Sequence, residues 1–216
     1  MPPNRNPAMI KVHHLNNSRS HRILWMLEEL GLPYEILAYQ RDPVTMLAPP
    51  ALKAIHPLGK SPVIEDSTLV LAESGAILEY LAGRYGGGTL SPAAGSAEHV
   101  RYLHWMHFAE GSAMPLLVLK LYLTRAAQAP QPVLDRVDGQ IGAQLDYMDA
   151  ALAQSPYFAG EEFSAADIQV SFPLLAAATR GGLDATRPRL WQWLNTVKQR
   201  PAFIRAEARG GPLVLP

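Results

Sequence analysis

The feature that most constrains the fold is a change in secondary-structure pattern after Ser96. Before it, short apolar runs alternate with helical periodicity; after it, helical periodicity continues to about residue 208 without strand signals. Ile10 to Leu15 and Tyr34 to Tyr39 fit strands, and the helical pattern between them ends at Gly31. This strand–helix–strand order is typical of a parallel βαβ unit. The sequence therefore predicts two domains of different structural class.

The rest of the first domain predicts a short helix, a β-hairpin and a third helix. Residues 40–61 are proline-rich and leave room for one short helix, and a polar turn separates the apolar runs 62–65 and 69–72. Ser74 is expected to cap the third helix. We therefore expect an α/β domain of order βαβ-α-ββα over residues 9–85 and an all-helical domain over residues 97–210. A glycine-rich linker at 86–96 and a flexible tail at 1–8 complete the expected organisation.

Two local signals shape the expected helical domain. A long helix is predicted over residues 101–122, with a kink at Met114-Pro115 because proline cannot continue the backbone hydrogen bonding of a helix interior. Ser164 and Asp167 have the spacing of a capping box, which predicts that a helix begins there.

Composition excludes several functional classes. The 216 residues contain no cysteine, which excludes disulfides, cysteine-ligated metals and a cysteine nucleophile. The formal net charge is zero, which argues against nucleic acid or an anionic membrane as partner. His104 and His107 are three residues apart, but no histidine–carboxylate set at zinc spacing accompanies them, so no metal is expected. Without a signal peptide or an 18-residue apolar run, a cytoplasmic protein with no membrane span is expected.

A serine–proline step, Ser61-Pro62, directly precedes the first strand of the predicted hairpin. Proline cannot donate to a strand ladder, so a trans proline at the start of an edge strand is one interpretation. In the other, a cis bond turns the N–H and C=O of Ser61 outward as an open strand edge that can pair with an extended peptide. The order of the surrounding elements is similar to that around the cis-proline of the thioredoxin-like fold, which favours the cis form.

Glu73 and Ser74 stand at the expected start of the third helix. The unpaired N–H groups of a helix start suit a ligand carboxylate, and a neighbouring glutamate suits a ligand ammonium group. Together they match the zwitterion of an amino acid. A plain serine cap beside a solvated glutamate is the alternative interpretation.

Four motifs, in this order and at these separations, resemble those of the cytosolic glutathione S-transferases. They are residues 17–22 (Asn-Ser-Arg-Ser-His-Arg), 56–63 (His-Pro-Leu-Gly-Lys-Ser-Pro-Val), 73–77 (Glu-Ser-Gly-Ala-Ile) and 163–167 (Phe-Ser-Ala-Ala-Asp). The resemblance covers nearly all of residues 9–210. Residues 105–112 (Trp-Met-His-Phe-Ala-Glu-Gly-Ser) also look like a bacterial and fungal branch of that family, and Ser18 resembles the serine of the theta and delta types. The resemblance implies a thioredoxin-like N-terminal domain followed by an all-helical C-terminal domain.

The resemblance also implies that glutathione is the extended peptide, bound as a co-substrate. Ser61, followed by Pro62, would pair through its backbone with the cysteinyl residue of glutathione. Glu73 and Ser74 would hold the γ-glutamyl group, and Lys60 would meet the glycyl carboxylate. For Lys60, an exposed loop lysine is an equally good interpretation of the sequence.

The residue that activates the sulfur is expected near the first strand–helix junction. Ser18 aligns with the serine of the theta and delta types, and Asn17 and Arg19 are rival donors. Ser20 is the preferred helix cap, which would leave Ser18 free. A free thiol has a pKa near 8.5, and lowering it by about two units requires about 2.7 kcal/mol, which one charge-assisted hydrogen bond and a helix terminus can supply.

A small hydrophobic electrophile is expected to bind between the first strand and the long helix. The pocket residues proposed for it are Leu15, Asn16, His107, Gly111 and Met114. Gly111 is unfavourable in a helix and is expected to permit a close approach. The resemblance implies an enzyme, a glutathione S-transferase that acts in detoxification as a homodimer. The alternative is a non-catalytic glutathione- or ligand-binding protein, or a protein-interaction module, on the same fold.

Overall fold

The computed structural model describes residues 9–126 and 128–215, so the tail expected at residues 1–8 lies outside the described residues. The chain divides into two compact units. The first comprises residues 9–85 and 201–214, and the second comprises residues 86–200 with Leu215.

The first unit has the predicted order βαβ-α-ββα. Its elements up to Tyr85 are β1 (Ile10–Leu15), α1 (His21–Leu30), β2 (Tyr34–Tyr39), α2 (Ala51–Ile55), β3 (Val63–Asp66), β4 (Leu69–Ala72) and α3 (Ser74–Tyr85). The strands form one sheet in the order β2-β1-β3-β4, in which β1 and β2 are parallel and the other pairs are antiparallel. This is the predicted thioredoxin-like arrangement.

The last helix, α9 (Pro201–Gly210), belongs to the first unit, whereas the sequence analysis places residues 201–210 in the helical domain. The reason lies in its contacts with α1. The ring of Phe203 packs edge-on against Trp25, with 5.0 Å between ring centroids. Arg205 and Arg209 both donate to the carboxylate of Glu28. An amphipathic helix that packs in this way completes the core around α1.

The regular elements of the second unit, over its described residues, are helices, apart from an isolated β-bridge between Tyr157 and Gly160. Its helices are α4 (Ala97–Phe108), α5 (Met114–Arg125), α6 (Gln131–Ala151), α7 (Ala165–Ala176) and α8 (Pro188–Lys198). The long helix expected over residues 101–122 is interrupted by a π-helical segment, Ala109–Ala113, and Pro115 lies in the first turn of α5. The interruption is therefore a local widening of the helix, because proline is tolerated in a first turn.

The predicted capping box at the start of α7 is confirmed. The Asp167 carboxylate accepts hydrogen bonds from the Ser164 N–H at 2.9 Å, the Ser164 hydroxyl at 3.0 Å and the Phe158 N–H at 3.0 Å. Burial raises the pKa of Asp167 to about 6 although these donors oppose the rise. No helix in the described part of the chain is both long and apolar enough to span a membrane.

Candidate functional site

Strand pairing brings the polar motifs of the first unit to one end of the sheet. Val63, the first residue of β3, pairs with His13 of β1 on one side and with Ala72 of β4 on the other. The segments that follow β1, precede β3 and follow β4 therefore meet at the same end. We call this end the motif end; it comprises residues 15–20, 60–62 and 73–74.

Ser61 presents its backbone at the motif end. The Ser61–Pro62 peptide bond is cis, as the order of elements predicts. The Ser61 hydroxyl donates to the His13 carbonyl at 2.7 Å and accepts from the Leu15 N–H at 3.2 Å, which fixes the residue against β1. Within residues 9–126 and 128–215, the peptide N–H and C=O of Ser61 have no hydrogen-bond partner. They form the open strand edge that an extended peptide can pair with.

The structure corrects the expectation that Ser74 caps the third helix, because Glu73 occupies the cap position. Glu73 has a φ of 71° and precedes α3, and its carbonyl accepts from the Ile77 N–H at 2.9 Å. Ser74 is the first helical residue and is not the cap. Its Oγ accepts from Nη1 of Arg22 at 3.1 Å. The first N–H groups of α3 lack intrahelical acceptors and give the motif end a positive helix terminus.

Arg22 is a site residue that sequence reasoning missed. It is fully buried in α1, and it reaches across to Ser74. The available signal in the sequence was a charged residue directly before the apolar run that Ile23 and Leu24 begin.

The structure corrects the expectation that Ser20 caps α1 and leaves Ser18 free. Ser20 makes no side-chain cap bond; its Oγ lies 2.9 Å from Nδ1 of His14 and 2.7 Å from Oγ of Ser18. Nε2 of His14 lies 2.9 Å from the Gly210 carbonyl, which can only accept. Burial lowers the pKa of His14, so the ring is neutral at pH 7, with its proton on Nε2 and an accepting Nδ1.

The direction of this hydrogen-bond chain decides where the Ser18 proton points. The Ser20 hydroxyl has two acceptors within reach, Nδ1 of His14 at 2.9 Å and the Leu15 carbonyl at 3.2 Å. Because its single proton goes to one of them, the Ser18 hydroxyl is the donor in the contact between the two serines. Ser18 is also buried, and its Oγ accepts from the Ser20 N–H at 3.2 Å. Its hydroxyl proton is therefore committed inside the protein.

Asn17 is the better-placed donor of the two. It is half-buried, with a φ of 50°, and its Oδ1 accepts from the Val214 N–H at 2.9 Å. Because Oδ1 faces Val214, the amide NH₂ of Asn17 points away from Val214. Within the described residues, the NH₂ group has no acceptor.

Arg41, which follows β2, holds the Asn17 loop and was also missed by sequence reasoning. Its guanidinium donates to the carbonyls of Asn16 at 3.2 Å, Met46 at 3.0 Å and Asn17 at 3.4 Å. Burial lowers the pKa of Arg41, and the nearby charge of Arg19 lowers it further. Two positive charges thus lie beside the loop that carries Asn17. Only contacts between residues distant in sequence reveal this role.

The remaining sequence-predicted residues occupy different environments. Lys60 is exposed at the motif end. Leu15 and Met114 are core residues of the first and second units, 3% and 2% exposed. Asn16 is half-buried and committed to structure, because its Oδ1 accepts from the Arg41 N–H at 2.8 Å.

His107 and Gly111 are exposed in the second unit. A Cβ at Gly111 would meet no heavy atom within 4 Å, so the expected close approach is absent within the described structure. Among the described residues, no three histidine, aspartate, glutamate or cysteine side chains are grouped so as to hold a metal ion.

Comparisons with known proteins agree with this geometry. The model of the glutathione S-transferase N-terminal domain matches residues 7–83, and that of the C-terminal domain matches residues 112–201. Glutathione S-transferase 3 of Schizosaccharomyces pombe is 41% identical over 208 residues, covering 90% of this chain and 85% of that protein.

Two solved structures are similar over most of their length. A glutathione S-transferase from Actinobacillus pleuropneumoniae is 33% identical, with a TM-score of 0.87, and the match covers 95% of this chain and 94% of that one. A theta-class glutathione S-transferase from Xanthomonas axonopodis, solved with glutathione bound, is 30% identical with a TM-score of 0.78, covering 96% and 100%. The chain belongs to the glutathione S-transferase family.

Proposed function

We propose that the chain is a glutathione transferase, which activates the thiol of glutathione for attack on an apolar electrophile or a hydroperoxide. The observation that carries the proposal is the meeting of an open strand edge at Ser61 with the start of α3 at one end of the sheet. The open strand edge can pair with an extended peptide, and the start of the helix can bind a carboxylate. Relatives named as glutathione S-transferases support the activity.

Glutathione would bind along the motif end through groups that match its three charges. The backbone of Ser61, held by the cis bond to Pro62, would pair with the cysteinyl residue. Ser74 and the first N–H groups of α3 would take the γ-glutamyl carboxylate, and Glu73 would take the γ-glutamyl ammonium. Lys60, exposed at the motif end, would meet the glycyl carboxylate. Such hydrogen bonds to ionised groups are stronger than neutral ones.

We propose Asn17 as the donor to the sulfur. Ser18, whose proton goes to Ser20, would have a structural role in the same loop. The amide NH₂ of Asn17 has no acceptor among the described residues, whereas the hydroxyl proton of Ser18 is donated to Ser20. Arg19 and Arg41 add positive charge nearby, which stabilises a thiolate over a thiol. The thiolate lone pair then forms the bond to the electrophilic carbon, and the leaving group departs with its electron pair, without a covalent enzyme intermediate.

We propose that the electrophile binds against exposed residues of the helical unit that include His107 and Gly111. We propose no metal for this reaction. We also propose a cytoplasmic homodimer with a role in detoxification, for which family membership is the support. Light scattering of the purified protein measures the mass of the assembly, and fractionation of the source cells tests the location.

The activity is tested with wild type, Asn17→Ala, Ser74→Ala and the control Glu35→Gln, which removes an exposed charge of β2. We expect wild type and control to be retained on glutathione resin and to conjugate 1-chloro-2,4-dinitrobenzene. Asn17→Ala should lower turnover. It should also raise the pKa of the thiol of bound glutathione, which is measured from the absorbance of the thiolate. Ser74→Ala should mainly raise KM for glutathione.

Two results would contradict the proposal. A wild type that neither binds glutathione nor turns over would remove the function. Retention on the resin without turnover of any aryl halide or hydroperoxide would favour the non-catalytic glutathione-binding alternative.

A further inference from the structure

The contact between Arg22 and Ser74 fixes which way a hydroxyl group points. Arg22 is fully buried in α1, and its Nη1 lies 3.1 Å from Oγ of Ser74, the first residue of α3. A guanidinium has donors only, so the serine oxygen is the acceptor. The single hydroxyl proton of Ser74 is then left to donate elsewhere, and the part of the chain that the structure describes offers it no acceptor.

The surroundings of Ser74 indicate what that proton is for. Ser74 opens a helix of twelve residues, whose first N–H groups lack intrahelical acceptors. A hydroxyl proton and the first N–H groups of a helix both favour a negative charge. The γ-glutamyl part of glutathione carries an α-carboxylate that fits this set.

We propose that Arg22 is a positioning residue for glutathione, which directs the Ser74 hydroxyl toward the α-carboxylate of the γ-glutamyl group. The proposal rests on the proposed function, since it concerns the part of that site that would bind the α-carboxylate of glutathione. Arg22 acts through Ser74 and need not touch the ligand. Its removal should weaken recognition of the α-carboxylate and leave the rest of glutathione bound as before.

The experiment pairs a change in the protein with a change in the ligand. Arg22→Met keeps much of the apolar volume and removes both charge and donor. γ-Aminobutyryl-cysteinylglycine is glutathione with a hydrogen in place of the α-carboxylate. Binding of both ligands is measured by calorimetry with wild type, Arg22→Met, Ser74→Ala and the double variant. Arg205→Met, a charge removal at an exposed residue of the same unit, is the matched control.

We expect Arg22→Met to weaken glutathione binding about tenfold or more, and binding of the decarboxylated analogue less than about twofold. The double variant should bind glutathione no more weakly than Ser74→Ala alone, because both changes remove the same interaction. In steady state, KM for glutathione should rise while kcat at saturating glutathione stays near that of wild type. Arg205→Met should match wild type for both ligands.

Equal losses for both ligands would overturn the proposal, since they would show that Arg22 only stabilises the fold. Additive losses in the double variant would overturn it as well. If Arg22→Met does not fold, Arg22→Lys is taken through the same cycle, because its ammonium group keeps the charge and loses the fork geometry. A wild type that binds neither ligand would refute the proposed function, whereas a wild type that binds glutathione without this ligand-selective loss would refute only the role of Arg22.

Discussion

His21 makes the stability of the first unit depend on pH, and the size of the effect follows from its environment. The ring packs edge-on against Phe203, with 4.9 Å between ring centroids, and its Nε2 is buried without a hydrogen-bond partner in the described structure. Burial first, and the neighbouring His14 second, lower the pKa of His21 from 6.5 to about 4. The folded protein therefore resists protonation of a ring that the unfolded chain protonates readily.

The sign and magnitude follow from linkage. Above pH 6.5 the ring is neutral in both states and the full stability is present. Between pH 6.5 and about 4 the unfolded chain binds a proton that the folded chain does not, so stability falls with pH. The two pKa values give a loss of about 2 kcal/mol between pH 7 and pH 5, and about 3 kcal/mol in all, as an upper bound.

The assay is urea unfolding at pH 7 and pH 5 of wild type, His21→Phe and the control His107→Phe. Phenylalanine keeps an aromatic ring against Phe203 and cannot be protonated. We expect the change in unfolding free energy between the two pH values to shrink by about 2 kcal/mol in His21→Phe. The same substitution at His107, which is exposed, should leave the wild-type pH dependence in place.

The comparison between variants cancels the contributions of other groups. Asp167, with its raised pKa, works in the opposite direction, because the folded state gains a proton near pH 6 before the unfolded state does. An identical pH dependence in His21→Phe and wild type would refute the assignment of a buried, neutral His21.

Three further predictions concern packing, capping and the contact between α1 and α9. Gly181→Ala should destabilise the protein by about 1–3 kcal/mol in urea unfolding, because its Cβ would meet Cδ2 of Leu117 at 2.8 Å and Cβ of Ala177 at 3.0 Å. Gly181 lies in a π-helical segment, Ala177–Gly181, and Gly111 lies in the other one, Ala109–Ala113, but faces open space. The control Gly111→Ala should therefore be neutral or stabilising, and equal losses would contradict the packing argument. Asp167→Ala should lower the unfolding free energy by about 2–4 kcal/mol, since it leaves three buried donors without their acceptor; a loss near zero in the same assay would contradict this. Glu28→Gln should cost about 1 kcal/mol at low salt and less at high salt, because the paired arginines of α9 are about half exposed; a loss independent of salt would indicate a packing effect instead.

Features carried by neighbouring residues were predictable from the sequence. The βαβ unit follows from the alternation of apolar runs, the hairpin from a polar turn, and the capping box from Ser164 and Asp167. The meeting of Ser61 with the Glu73–Ser74 pair also follows, because hairpin pairing brings the start of β3 beside the end of β4. Each depends on residues close in sequence, or on strand order alone.

Features that depend on distant partners could not be predicted in this way. The amphipathic pattern of α9 shows that it has a buried face but not that α1 covers it. The roles of Arg22 and Arg41 depend on partners 52 and about 25 residues away. The interruption of the long helix was placed at Pro115, because a π-helical segment such as Ala109–Ala113 has no comparable residue signature.

The correction at Ser18 shows how long-range contacts set the chemistry of a local motif. Nothing within residues 17–22 distinguishes a serine that is free to donate from one that is not. The distinction comes from the two acceptors around Ser20, which are the Leu15 carbonyl and Nδ1 of His14. Nδ1 accepts because the Gly210 carbonyl in the last helix holds the proton of His14 on Nε2. Since either acceptor takes the proton of Ser20, Ser20 accepts from Ser18, and Asn17 rather than Ser18 has a proton to offer.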